Sequence, residues 1–138
     1  MRTPDYSEGL KISEGSAQRR AFTGKTAEDL ACQAYLDQGA RLVARNYRLR
    51  CGEIDLIFEE PEDKCRESTL VFVEVRARNP ALSWETPSES LSASKLQRLR
   101  RTANQFLANY KGKATSVRFD LASWDLSSLE ILKNFWWY

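Results

Sequence analysis

The sequence predicts an α/β domain, a mixed β-sheet flanked by helices, with elements in the order α-β-β-β-α-β-β. Two segments carry a helical apolar period, at Ala27–Tyr35 and Leu96–Tyr110. Five others read as strands. One of them, Leu70–Val73, is apolar on both faces, as a central strand covered from two sides must be. Helices set among strands in this way predict a mixed sheet with helical cover.

Each element has its own signal. Residues 1–22 mix polar residues, glycines and charges without an apolar period, and read as a flexible arm with helix toward its end. Residues 23–138 read as one domain. Ala27, Leu30, Ala31, Ala34 and Tyr35 recur at i, i+3, i+4, i+7 and i+8, one face of a helix. Thr23 or Thr26 is the expected cap, and Gly39 the expected stop. Strands follow at Leu42–Leu49, at Glu53–Glu59 after a Cys51-Gly52 turn, and at Leu70–Ala77, with an acidic hairpin loop between the last two. Asn79–Glu89 holds two prolines and reads as a loop. Ser92 or Ser94 can cap a second helix whose stripe is Leu96, Leu99, Ala103, Phe106 and Tyr110, with Lys95 at its border. Val117–Leu121 and Leu129–Trp136 are the last strand candidates.

Composition narrows the chemistry. With 138 residues, 42% of them hydrophobic, the chain can build a core without disulfide staples. Its 3 cysteines, Cys32, Cys51 and Cys65, have no CxxC spacing, which argues against a disulfide framework or a thiolate zinc site. There is no histidine, so Ser-His and Cys-His machinery is excluded. No run approaches transmembrane length and the N-terminus lacks a secretory pattern, so the expectation is a cytoplasmic protein without a membrane partner.

The net charge of +2 says little, but its distribution says more. Between Asp37 and Glu53 the only charges are Arg41, Arg45, Arg48 and Arg50. Between Glu89 and Asp120 there is again no acid, while Lys95, Arg98, Arg100, Arg101, Lys111, Lys113 and Arg118 lie there. Such segregation makes a basic face suited to phosphates, with Arg45, Arg48, Arg98, Arg101 and Arg118 as candidate nucleic-acid contacts.

The acids that stand out are on strands. Strand alternation puts Glu53 and Asp55 on one face and Ile54, Leu56 and Phe58 on the other. Glu74 and Arg76 share a face with Phe72, opposite Val71, Val73 and Val75. A carboxylate among buried apolar residues is costly unless paired, hydrogen-bonded or bound to a metal. Paired oxygen donors suit Mg²⁺ or Mn²⁺. The plainer alternative is an ion pair of Asp55 or Glu74 with Arg76.

Three segments resemble the YraN family, whose fold is similar to that of archaeal Holliday junction resolvases and other PD-(D/E)xK nucleases. They are Gly24-Lys25-Thr26-Ala27-Glu28-Asp29-Leu30-Ala31, then Asn46 with Gly52-Glu53-Ile54-Asp55-Leu56-Ile57, then Val71-Phe72-Val73-Glu74-Val75-Arg76. Lys95 and Val117-Arg118-Phe119-Asp120 also match, so the resemblance covers roughly Gly24 to Ala122. It implies a restriction-endonuclease-like fold, a helix-borne acid at Glu28 and metal-binding acids at Asp55 and Glu74. Arg76 stands where many relatives have the motif lysine, and Ala27 where the family usually has glycine. A lysine can lose its proton and assist a water nucleophile, whereas guanidinium stays protonated. The resemblance thus implies a Mg²⁺-dependent endonuclease-like domain acting on branched or structured DNA, with Arg76 contacting phosphate and Lys95 supplying the missing amine. Two alternatives stay open. One is a nucleic-acid-binding module that keeps the fold without turnover. The other is a protein-interaction factor using Trp136, Trp137 and Tyr138, which equally suit last-strand packing or a homodimer contact. Trp84 can stack on a base or simply pack its loop, and Tyr47 is read as strand packing.

Overall fold

The computed structural model describes residues 16–61, 67–82, 85–87 and 89–136. Its elements are α1 (Ser16–Asp37), β1 (Arg41–Leu49), β2 (Gly52–Pro61), β3 (Ser68–Ala77), α2 (Ala93–Asn109), β4 (Ser116–Trp124) and β5 (Leu129–Leu132). The order is the expected α-β-β-β-α-β-β. The five strands form one sheet in the order β1-β2-β3-β4-β5. β3 and β4 are parallel, joined through α2, and every other neighbouring pair is antiparallel. A mixed sheet with helices on both faces is the architecture expected of a restriction-endonuclease-like domain.

The sheet's two faces hold two cores. Ala31, Cys32 and Tyr35 of α1 pack on Leu56, Phe58, Val71, Val73 and Ala122. Leu99 and Ala103 of α2 pack on Ile54, Ile57, Leu70, Phe72 and Phe119. The apolar run of β3 therefore serves both, and Ser68 to Glu74 is buried throughout.

α1 starts at Ser16, earlier than the apolar period indicated, so Thr23 and Thr26 lie inside it rather than capping it. The extra turns are built from Ala, Gln and Arg, good helix formers that need no apolar stripe. The stop is where Gly39 predicts it. Gly39 has φ +89°, its N–H donates to the Leu36 carbonyl, and the Ala40 N–H donates to that of Tyr35, a Schellman ending. Ser92 caps α2, its side chain accepting from the Lys95 N–H at 3.1 Å.

Gly52 closes the β1–β2 turn against α2. A Cβ there would lie 2.8 Å from Thr102 Oγ1, so only glycine lets the turn come this close.

β5 ends at Leu132, short of the expected Trp136. Phe135 and Trp136 nevertheless pack on the α2-side core, with Trp136 edge-on to Phe119 at 5.1 Å. Trp136 is thus occupied by the fold. Trp84, Trp137, Tyr138, Cys65 and most of the acidic loop lie outside the described residues. Among the described residues no helix is long and apolar enough to cross a membrane.

Candidate metal and nucleic-acid site

Pairing of β2 with β3 runs from Pro61↔Ser68 to Leu56↔Val73 and stops. Regular continuation would pair Asp55 with Glu74 and Ile54 with Val75. Instead the strands part, and the Asp55 carboxylate takes the vacant backbone position, its Oδ2 accepting from the Val75 N–H at 2.8 Å. This corrects the simple alternation expected for β2. Ile54 joins Ile57 on the α2 face, while Leu56 and Phe58 face α1. One side-chain reversal falls between Ile54 and Leu56, at Asp55.

The fork brings together groups that an unbroken sheet would separate. Glu74 is 6% exposed. Its Oε1 lies 3.3 Å from Lys95 Nζ, reaching down from the first turn of α2. Its Oε2 is buried without a hydrogen-bond partner. Burial pushes the Asp55 carboxyl up to about 8, the neighbouring Glu74 charge adds to the rise, and the Val75 N–H opposes it. Burial also raises Glu74, while the Lys95 ammonium, a hydrogen bond shared with the Asp55 carboxyl and the Arg76 guanidinium lower it. Two carboxyls crowded in a dry place resist losing both protons unless a cation joins them.

Glu28 approaches from the α1 side and lines one cleft with Lys25, Arg45, Asn46 and Asp55, a space of about 480 Å³. Its Oε1 accepts from Arg45 Nε at 2.9 Å, and Arg45 also pairs with Asp29. A second cleft of about 280 Å³, lined by Gly52, Lys95, Arg98 and Leu99, meets the first at Arg48 and Glu53. Among the described residues no three acids converge on one point. The donor set is nonetheless suited to a hard cation. Asp55 and Glu74 offer oxygens only, one of them orphaned and buried, and Mg²⁺ commonly takes one or two carboxylates and keeps several waters.

The other expected residues divide. Arg76 lies at the site but is turned to the loop before α2, its Nη2 donating to the Ser90 carbonyl at 3.3 Å while Nε is buried without a partner. Arg48 pairs with Glu53 at 3.2 Å on the cleft rim. Arg98 and Arg101 are exposed on α2, and neither guanidinium has an ion-pair partner among the described residues. Arg118 is turned inward, its donors committed to Glu60 and Asp120, and does not join the basic surface. Sequence reading gave no role to Lys25, Asn46 or Glu53, all of which line the first cleft. Asn46 carried one usable signal, since asparagine is, among residues other than glycine, one of those best able to adopt a positive φ.

Among the described residues this geometry defines two helices on a five-stranded sheet with a carboxylate pair at a sheet fork. Residues 27–123 match the family described as Uncharacterised protein family UPF0102. The chain is 37% identical over 116 residues to the UPF0102 protein of Ralstonia nicotianae, covering 83% of this chain and 85% of that one. It is 35% identical over 127 residues to that of Ruegeria pomeroyi, covering 91% and 96%. It is 44% identical over 101 residues to that of Desulforapulum autotrophicum, covering 72% and 77%. The chain belongs to UPF0102, the YraN family whose motifs it carries.

Proposed function

We propose that this protein is a nucleic-acid-binding, Mg²⁺- or Mn²⁺-dependent endonuclease-like domain acting on branched or structured DNA. The observation that carries the reading is the fork, where Asp55 and Glu74 meet with a buried, unpartnered carboxylate oxygen and the Lys95 ammonium 3.3 Å from Glu74. Asp55 and Glu74 would hold the ion and Glu28 would support it from the cleft wall. A bound divalent ion lowers the pKa of water and polarises a phosphodiester oxygen. Lys95 is the amine of the site. It holds Glu74 in place and is the amine within reach of a water activated at the site. Arg76 cannot act as a base. Its Nη2 donates to the Ser90 carbonyl in the loop before α2. Lys25, Arg48 and Arg98 line the cleft walls and would meet a phosphate backbone there.

Arg76 in place of the motif lysine favours a second reading, a module that binds nucleic acid without cutting it. Incubation with linear, single-stranded and four-way-junction DNA in Mg²⁺ or Mn²⁺ separates the two. The first predicts cleavage of at least the branched substrate, and binding without any cleavage favours the second. Under both readings affinity falls steeply with salt, because phosphate contacts release counterions. Replacing Arg98 and Arg101 with Ala should flatten the salt slope by roughly one unit per lost contact. Salt-independent binding, or no binding to any of these substrates, contradicts both.

A further inference from the structure

The acids meet because β2 leaves β3, and the strand on the far side of β2 departs from regular geometry at the same level. In β1, Arg45 pairs with Leu56 and Tyr47 with Ile54, so Asn46 stands opposite Asp55. Asn46 has φ +53°, in the left-handed region, in the middle of a nine-residue strand. The side chains of β1 change face there. Past the register shift between Leu42 and Ala44, which puts Val43 and Ala44 on the same side, Ala44 and Tyr47 both pack on the α2-side core, an odd separation that regular alternation forbids, while Arg45 reaches the α1 acids Glu28 and Asp29. In β2, Ile54 and Ile57 likewise share the α2 side across an odd separation. Both strands therefore reverse at one rung. β3 does not, with Leu70 and Phe72 facing α2 and Val71 and Val73 facing α1. A paired ribbon that reverses its faces beside a strand that does not must part from it at that rung. The parting is what frees the Val75 N–H for Asp55.

We propose that Asn46 is the positioning residue of the site, its left-handed backbone opening the β2–β3 fork so that Asp55 from one side meets Glu74 and Lys95 from the other. The inference rests on the metal-site reading for its purpose but not for its geometry. The cause lies in the backbone, so side chains rank by their tolerance of positive φ. Glycine adopts it freely, asparagine more readily than most residues, alanine poorly, and valine least because it is β-branched. In Asn46→Val the cheapest relief is an extended backbone at residue 46. That lets β2 zip onto β3 and withdraws Asp55 from Val75.

Two measurements on the full chain test this. One is the nuclear magnetic resonance signal of the Val75 amide, including its response to Asp55→Asn. The other is Mn²⁺ affinity by calorimetry. Asn46→Gly should keep the Val75 signal and its response to Asp55→Asn, and bind Mn²⁺ as the natural protein does. Asn46→Val should lose that response and weaken Mn²⁺ by about 10–100-fold, the usual cost of losing a group that orients a metal ligand. If Asn46→Val does not fold, Asn46→Ala is set against Asn46→Gly on the same readouts, with loss in Ala and retention in Gly expected. Retention in both Val and Ala, or loss in Gly equal to that in Val, overturns the proposal; the latter would assign the role to the side-chain amide. Should the natural protein bind no Mn²⁺, the metal reading fails, and the Val75 signal alone still decides whether Asn46 opens the fork.

Discussion

Lys95→Ala is expected to reduce metal-dependent DNA cleavage by roughly 10²–10⁴-fold, the range of a lost acid–base group, while leaving the fold intact and DNA binding little changed. Lys95 is the amine that the structure places against the buried Glu74, at 3.3 Å, and its side chain is still 31% exposed and open to the second cleft. Arg76 is the nearer residue in sequence, but it is held on the Ser90 carbonyl, and a guanidinium is a poor general base. Arg76→Lys is accordingly expected not to raise the rate, because the amine is already supplied from α2. Single-turnover cleavage of a junction substrate by both variants measures this. A Lys95→Ala protein cutting as fast as the natural one, or a large gain in Arg76→Lys, would move the proton-transfer role back to β3.

Asp120→Ala is expected to cost about 3–5 kcal/mol of folding stability, the loss typical when one partner of a buried ion pair is removed. Asp120 is 0% exposed. Its two oxygens accept from the Tyr35 hydroxyl at 2.6 Å, the Arg118 guanidinium at 2.8 and 3.0 Å, and the Asn134 N–H at 2.9 Å. One carboxylate thus ties α1, β4 and the chain after β5 together. Its removal leaves Arg118 half-buried with only Glu60 for a counter-charge, and leaves the Tyr35 hydroxyl without its acceptor. Urea unfolding gives the number. A loss below about 1 kcal/mol, the worth of an exposed pair, would mean that water already satisfies these groups.

What could be read from the sequence was whatever local chemistry decides. The doubly apolar Leu70–Val73 marked the central strand, Gly39 the end of α1, the Ser92/Ser94 pair the start of α2, and the stripe of Leu99 and Ala103 the buried face of α2. Glu74 was conspicuous because an acid in such a strand demands a partner, and Lys95 because it bordered that stripe. What could not be read was what several strands decide jointly. Period-two counting puts Ile54 and Leu56 on one face. They lie on opposite faces because the β1–β2 ribbon reverses at Asn46 and Asp55, and nothing in the Glu-Ile-Asp-Leu run records that. Arg118 looked like part of a basic face until Glu60 and Asp120, on two different strands, proved to enclose it. The start of α1 escaped for the opposite reason. Its first turns show no apolar stripe, so propensity alone had to mark them.

The central claim is that Asp55 and Glu74 form a site for a divalent cation rather than serving only as internal partners of Lys95 or Arg76. Without a cation the pair is a liability whose sign can be worked out. The Asp55 carboxyl is raised in the folded protein to about 8, above its value of 3.8 in the unfolded chain, so the folded state holds the extra proton. Stability should therefore fall as pH rises from about 4 through about 8 and level off above, and Asp55→Asn should remove most of that slope. The direct measurement is a calorimetric Mn²⁺ titration of the natural protein and of Asp55→Asn. The account predicts binding at millimolar concentration or below in the natural protein. It predicts loss of that binding in a variant that remains folded and is no less stable at pH 8. No Mn²⁺ binding by the natural protein, together with a destabilised Asp55→Asn, would contradict it and leave Asp55 as a structural acid.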